Sequence, residues 1–423
     1  MIESGPLLVF LFMSHPEVLV VGAGPGGAAA AYHLADRGHD VLVVEKKEFP
    51  RPKTCGDGLT PRSIHELKLM GFDFSVPEFH RVGGLRAFAG DRMLELEWPD
   101  HPVFPNWAGV MRRIDLDHEV IRLAERQGAV LLTGTEARPI VEDGRLAAVE
   151  LISGGETETS CPKAVVVADG SLSRFGRGLG ASRDFSRPYG LAVRGYYTSP
   201  RSDDDYMESH LSLSDATGAN VPGYGWIFPL GDGQVNVGAG VLSTFHRWKE
   251  VNTSTLMESL EATAPESWGL APETAISNPQ GGKLPMSFSV GPSVGPNWVL
   301  VGDAAGAINP FNGEGIAYAY ETGRIAARHV HSALASDDLT LLQGYRAELD
   351  DTYGLYYRTA RAFVRAIGKP GVMRALTRTG LRSRSLMEWV LRTMANLLRP
   401  GERHLAETAY AMVERIVQMG PEP

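Results

Sequence analysis

Four short apolar runs, residues 18–21, 41–44, 164–167 and 298–301, contain no charged or amide side chain, and turn-forming residues lie close by. Runs of that length without alternation read as parallel strands buried on both faces. The first run enters the turn Gly22-Ala23-Gly24-Pro25-Gly26-Gly27, and the Ala-rich residues 26–36 read as the helix leading back to the second run. Residues 129–132 and 146–152 look like further strands of the same kind. Helical spacing predicts helices over 61–70, 112–127 and 316–334, and the chain beyond 340 reads as helical. Between these lie segments of a different character. Residues 81–107 alternate, most clearly in Met93-Leu94-Glu95-Leu96-Glu97-Trp98, and 185–284 carries alternating, β-branched segments broken by Gly, Pro, Asn and Asp. That pattern predicts a mostly antiparallel sheet. Residues 49–61 hold too much Pro and Gly for a helix or a central strand and are expected to form a loop.

The expected organisation is therefore α/β, α+β overall. A discontinuous Rossmann-like domain takes residues 14–80, 108–184 and 285–345, and a substrate-binding β-sheet domain takes 81–107 and 185–284. A C-terminal helical region covers 346–423, and 1–12 forms an unstructured extension. A length of 423 residues fits two or three domains. The 43% hydrophobic and 22% charged composition is that of an ordinary globular chain. A net charge of −9 argues against nucleic-acid binding. Cys55 and Cys161 are far apart and have no CxxC partner, which excludes a disulfide framework and a cysteine zinc site. No metal is expected. Residues 7–13 are apolar but too few to span a bilayer, which takes about 20.

The chemistry concentrates where apolar runs end. Gly22 permits a tight turn, Gly24 lets backbone approach a pyrophosphate, and Gly27 lets helix and strand pack closely, with Pro25 opening the helix. The helix N-terminus then offers free N–H groups to phosphate. Glu45, at the end of the second run with Lys46 beside it, stands where an acid binds ribose hydroxyls. Two more strand ends, Asp169-Gly170 and Gly302-Asp303, repeat the combination of Gly and carboxylate. A nicotinamide dinucleotide domain needs only the first of the three; a flavin, extended far from its adenine, uses the others. Asp303 is expected on the ribityl chain. Pro310, Gly313, Gly315 and Ile316 are expected to form a flat loop and a helix N-terminus facing the flavin ring, favouring negative charge there by ~0.3–1 kcal/mol. FAD is the expected cofactor.

These motifs, with Arg113 in R-x-x-L-D, Cys55-Gly56-Asp57-Gly58 and the segment Tyr224-Gly225-Trp226-Ile227-Phe228-Pro229 followed by Gly238 and Gly240, resemble the geranylgeranyl reductase family of FAD flavoproteins. That family lies within the p-hydroxybenzoate hydroxylase-like superfamily, and the resemblance extends to its actinobacterial menaquinone reductases. It implies Arg113 and Gly58 at the cofactor and Cys55 as proton donor or flavin-tuning group. Tyr224 and Trp226 would line an apolar slot, although Cys55 also suits simple packing and the aromatics suit an ordinary sheet. The implied reaction is hydrogenation of an isolated C=C bond in a polyprenyl chain, one isoprene unit of menaquinone, by hydride from reduced flavin N5. Alternatives are an FAD-dependent aromatic monooxygenase or halogenase, or a reductase of geranylgeranyl lipid or chlorophyll-type chains. Gly306 stands where aromatic hydroxylases carry His, and the halogenase W-x-W-x-I-P is absent.

No second dinucleotide motif appears, so the reductant is open between NADPH and another donor. Residues 358–403 hold 11 Lys and Arg against Glu388 and Glu402. Phe363, Val364, Ile367, Leu386, Trp389, Val390, Leu391, Met394, Leu397 and Leu398 recur there at helical spacing. A basic amphipathic segment suits an anionic membrane surface. The expectation is a cytoplasmic monomer held peripherally on the inner face of the cell membrane.

Overall fold

The computed structural model describes residues 15–215, 218–399 and 405–419. The extension expected at 1–12 lies outside the described residues. Its centre is a parallel five-stranded sheet in the order Trp298–Leu300, Ala164–Val167, Val18–Val21, Val41–Val44, Val130–Leu132. Val18 pairs with both Val41 and Ala164, and the apolar runs are buried throughout, as unalternating strands require. One face packs the helices Pro25–Ala35, Arg113–Arg126 and Ile316–Ala335.

The other face is covered by β-structure. Residues 146–152 do not join the parallel sheet. The strand Arg145–Ser153 is the middle of an antiparallel three-stranded sheet with Glu136–Glu142 and Glu156–Ser160. Two hairpin turns explain this: Asp143-Gly144 and Gly154-Gly155, all four at positive φ. Leu146, Val149 and Leu151 point inward onto Leu19, Leu42 and Val165.

The second large sheet has seven strands, ordered Gln280–Pro285, Tyr189–Thr198, Gln234–Leu242, Gly223–Pro229, Tyr206–His210, Gly84–Ala89, Arg92–Glu97. Its pairings are antiparallel except that of Tyr206–His210 with Gly84–Ala89. The helix Thr253–Thr263, not anticipated from sequence, seals one face with Leu256, Met257 and Leu260 on Val193, Ile227, Val235 and Val237. The opposite face looks toward the loop that begins near Cys55.

The C-terminal helices Gly344–Ile367, Pro370–Gly380, Arg384–Met394 and Leu405–Met419 bridge the two halves. Tyr345, Tyr353 and Tyr357 are buried against Ile316–Ala335, while Met387 and Leu391 join Leu96 and Trp98 under the second sheet. Val364, Ile367, Leu391 and Leu397, read as part of a membrane-facing stripe, are therefore core residues. Leu376 and Leu386 remain exposed beside Arg374, Arg378, Arg382 and Arg384.

Candidate functional site

The first turn separates its glycines by task. A Cβ on Gly27 would lie 1.9 Å from the Gly22 carbonyl oxygen, and one on Gly22, at φ +99°, would lie 2.5 Å from that of Ala168. Both glycines serve close backbone packing. Gly24 differs: a Cβ there would meet nothing nearer than the Arg51 guanidinium at 3.7 Å. Its face is open, in front of the helix N-terminus that begins at Pro25. Glu45 is 6% exposed and accepts hydrogen bonds from the backbone N–H of Ala23 (3.2 Å) and Lys47 (3.1 Å). Lys46 turns to solvent.

Buried charges connect this end to Cys55. Arg51 pairs with Glu45 (3.2 Å) and Asp117 (3.1 Å), and Arg113 grips Asp117 at 2.6 and 2.9 Å. Arg113 also lies near enough to Cys55 for its charge to act on the thiol. Sequence reading named Arg113 but not Arg51 or Asp117, although Asp117 is the acid of R-x-x-L-D itself.

The other strand ends are unlike one another. Asp169 spends its carboxylate inside its own turn, accepting from the Ser173 hydroxyl (2.7 Å) and the Phe175 N–H (2.9 Å), while Gly170 adopts φ +82°. Asp303 accepts no side-chain hydrogen bond among the described residues, and burial pushes its carboxyl up against the opposing pull of Lys53 and Arg113. A Cβ on Gly315 would sit 3.3 Å from Asp303 Oδ1, so that carboxylate lies beside the start of the Ile316–Ala335 helix. Gly302 donates its N–H to Thr322 Oγ1 at 2.9 Å. Pro310 and Ile316 are buried, and Gly313 is left-handed at φ +76°.

Across from this loop lies the second sheet. The Tyr224 hydroxyl donates to the Asn312 carbonyl at 2.5 Å, and burial, with Glu314 and Cys55 nearby, pushes it up to about 12. Trp226 is 6.0 Å from Tyr224 between ring centres. The Cys55–Gly58 loop packs on this strand: Cβ atoms on Gly56 and Gly58 would come 3.3 Å from Trp226 Nε1 and 2.8 Å from the Phe228 ring. Asp57 is fully buried at φ +64°, its carboxylate accepting from Tyr196 (2.7 Å), Asn236 (2.7 Å) and the Arg113 N–H (3.3 Å). Burial pushes the Cys55 thiol up, with Arg113 opposing, so the protonated form is favoured.

The structure thus brings Cys55, Arg113, Asp303, Gly313, Gly315, Tyr224 and Trp226 toward one region, with Glu45 and the Gly22–Gly27 turn at the far end of the ionic chain. Lys46 and the Asp169 carboxylate stand apart. Sequence reasoning does not single out Asp57, Asn236 or Glu314, although Asp57 stands inside the motif Cys55-Gly56-Asp57-Gly58. The open face of Gly24 and the Asp303 carboxylate, without a side-chain hydrogen bond among the described residues, fit the demands of an extended flavin dinucleotide.

Residues 15–210 match the FAD binding domain family. The chain is 40% identical to the menaquinone reductase of Mycobacterium tuberculosis over 388 residues, covering 92% of each chain. It is 31% identical to the digeranylgeranylglycerophospholipid reductase of Methanocella arvoryzae, covering 81% of this chain and 84% of that one. Among solved structures, a geranylgeranyl bacteriochlorophyll reductase-like protein from Thermoplasma acidophilum superposes with a TM-score of 0.76 at 23% identity, covering 95% of this chain and 100% of that one. A flavin-dependent brominase superposes at 0.73 and 17% identity, covering 96% and 100%, which speaks to fold alone. The glycine turns, the buried acids and these likenesses together make the chain a member of the geranylgeranyl reductase family of FAD flavoproteins, an FAD-dependent oxidoreductase.

Proposed function

We propose that this enzyme hydrogenates an isolated C=C bond of a polyprenyl chain, specifically one isoprene unit of a menaquinone tail. The observation that carries this reading is the Cys55–Gly58 loop packed on the aromatic strand at Trp226 and Phe228, where burial favours the protonated form of the Cys55 thiol. The names of the relatives at 40% and 31% identity support the prenyl class, and those of the mycobacterial relatives support menaquinone.

FAD, when bound, supplies the hydride. Gly24 and Pro25, on the turn that Gly22 and Gly27 close by tight backbone packing, would hold its pyrophosphate, and Glu45 would hold its ribose. Arg113, Gly170, Gly302 and Asp303 would shape the remainder of the site, with the Asp169 carboxylate holding the turn of Gly170, and 310–316 would face the ring. An unactivated alkene offers no oxygen to polarise, so alignment supplies most of the rate enhancement. Tyr224 and Trp226 flank the alkene and exclude water, and Cys55 holds a proton at Sγ for the second carbon. The electron source is NADPH or another electron donor.

The seven-stranded sheet then forms the substrate domain and the five-stranded sheet the cofactor domain, with the boundaries expected above. No described helix is long and apolar enough to cross a membrane. Exposed Leu376 and Leu386, set among Arg374, Arg378, Arg382 and Arg384, suit docking on an anionic bilayer, from which the tail enters at little hydrophobic cost. The test is anaerobic mixing of the chemically reduced holoprotein with menaquinone. The reading predicts flavin reoxidation with a tail two hydrogens heavier, and an unchanged tail would overturn it.

A further inference from the structure

Asn236 is completely buried in the Gln234–Leu242 strand, between Val235 and Val237, which face the opposite side and pack on the Thr253–Thr263 helix. A buried amide without partners is costly. Here every polar function has one. Nδ2 donates to the Cys55 carbonyl (2.9 Å) and to Asp57 Oδ2 (2.7 Å), and Oδ1 accepts from Trp226 Nε1 (2.9 Å). Asn236 lies directly across from Tyr196 on one side and Phe228 on the other. Tyr196 reaches the same Asp57 oxygen at 2.7 Å. Two strand positions on, Gly238 leaves the hollow for the indole: a Cβ there would lie 2.1 Å from the Trp226 ring. The ring is thus confined by a missing side chain beneath it and a hydrogen bond at its edge.

Two segments meet at this one side chain. The Cys55–Gly58 loop carries the thiol, and the Gly223–Pro229 strand carries the aromatic wall. No hydrogen-bonded strand pairing joins them, because Gly58–Leu59 belongs to a different small sheet with Ala108–Val110. An amide suits the place, offering two donors and an acceptor in one plane. Leucine would fill the volume and leave the Cys55 carbonyl and the Trp226 N–H without it. Aspartate would bring a second carboxylate to the position that now donates to Asp57.

We infer that Asn236 is the positioning residue of this active site, fixing the Cys55 thiol relative to the Trp226 indole. The inference rests on the function proposed above for Cys55 and Trp226, but its first readout does not. Iodoacetamide labelling of the FAD-loaded protein is followed at the Cys55 peptide by mass spectrometry; exposed Cys161 is read separately as a control. Asn236→Asp is expected to accelerate Cys55 labelling about tenfold and move its pH profile, and to lower kcat about tenfold with KM changed less than about threefold. The exchange Asp57→Asn with Asn236→Asp restores a donor–acceptor pair between the two positions but not the donor to the Cys55 carbonyl, so labelling is expected to stay at least about threefold faster than wild type. Wild-type labelling in folded, FAD-loaded Asn236→Asp would overturn the inference. Should that variant not fold, Asn236→Ala removes both amide donations, to the Cys55 carbonyl and to Asp57, without burying a second carboxylate. It is expected to shift labelling in the same direction, and an unchanged Cys55 rate there would equally overturn the inference. If wild-type enzyme reduces no prenyl chain, the proposed function fails while the labelling result still judges Asn236.

Discussion

Glu314 sits in the loop before the Ile316–Ala335 helix, and Gln in its place is the most informative single substitution for pH dependence. Its Oε1 accepts from the Thr60 hydroxyl, with Ser63 at 3.5 Å, while Oε2 is enclosed without a partner among the described residues. Burial, with Glu321 adding to it and Thr60 and Arg62 opposing, raises the carboxyl from 4.5 to about 7. Between those values the folded protein keeps a proton that the unfolded chain has released. Stability therefore falls as pH rises through this window, and the penalty is complete above about pH 7. At 1.36 kcal/mol per pH decade, the interval from 4.5 to 7 corresponds to at most about 3 kcal/mol. Gln keeps the shape and the acceptor for Thr60 and cannot ionise. Urea unfolding midpoints of wild type and Glu314→Gln, compared at each pH so that other titrating groups cancel, should diverge as pH rises. The variant should gain nothing near pH 4 and up to about 3 kcal/mol at pH 8. A difference that stays constant from pH 5 to pH 8, or shrinks, would show that Glu314 is already ionised in the fold.

Cys55→Ala should retain FAD, since the proposed phosphate and ribose contacts involve other residues, but slow alkene reduction by at least about tenfold; full turnover would remove Cys55 from the mechanism. Gly27→Ala should cost more than about 2 kcal/mol and abolish stoichiometric FAD, because its Cβ would fall 1.9 Å from a backbone oxygen. Gly24→Ala should leave apoprotein melting nearly unchanged while still weakening FAD, and equal effects of the two on the apoprotein would contradict the assigned roles. Replacing Arg374, Arg378, Arg382 and Arg384 with Glu should abolish flotation with anionic liposomes while leaving FAD content intact. Flotation at wild-type levels would dismiss the basic face as the docking surface.

What could be read from sequence follows from locality. The parallel strands carry their burial in their own composition, and the glycine turn combines strand, turn and helix within a single contiguous stretch, so cofactor class and fold were both visible. Residues 146–152 read as a strand of the parallel sheet because a short apolar strand looks alike in either sheet. The distinction lay in the flanking Asp143-Gly144 and Gly154-Gly155 turns. The C-terminal stripe misled similarly. Periodicity identifies an apolar face without saying whether protein or lipid covers it, and Val364, Leu391 and Leu397 are covered by protein. Asn236 and Arg51 were invisible for another reason. Each acts through partners distant in sequence, Asn236 bonding Cys55 across 181 positions, and no local pattern distinguishes such an amide from a turn residue.

Prenyl-chain hydrogenation is most directly tested in the organism that carries this chain. Lipid mass spectrometry of a strain lacking it should find menaquinone with a tail two hydrogens lighter than in the parent. Reintroducing wild type, but not the Cys55→Ala form, should restore the parental mass. An unaltered menaquinone tail in the deletion strain would contradict the account.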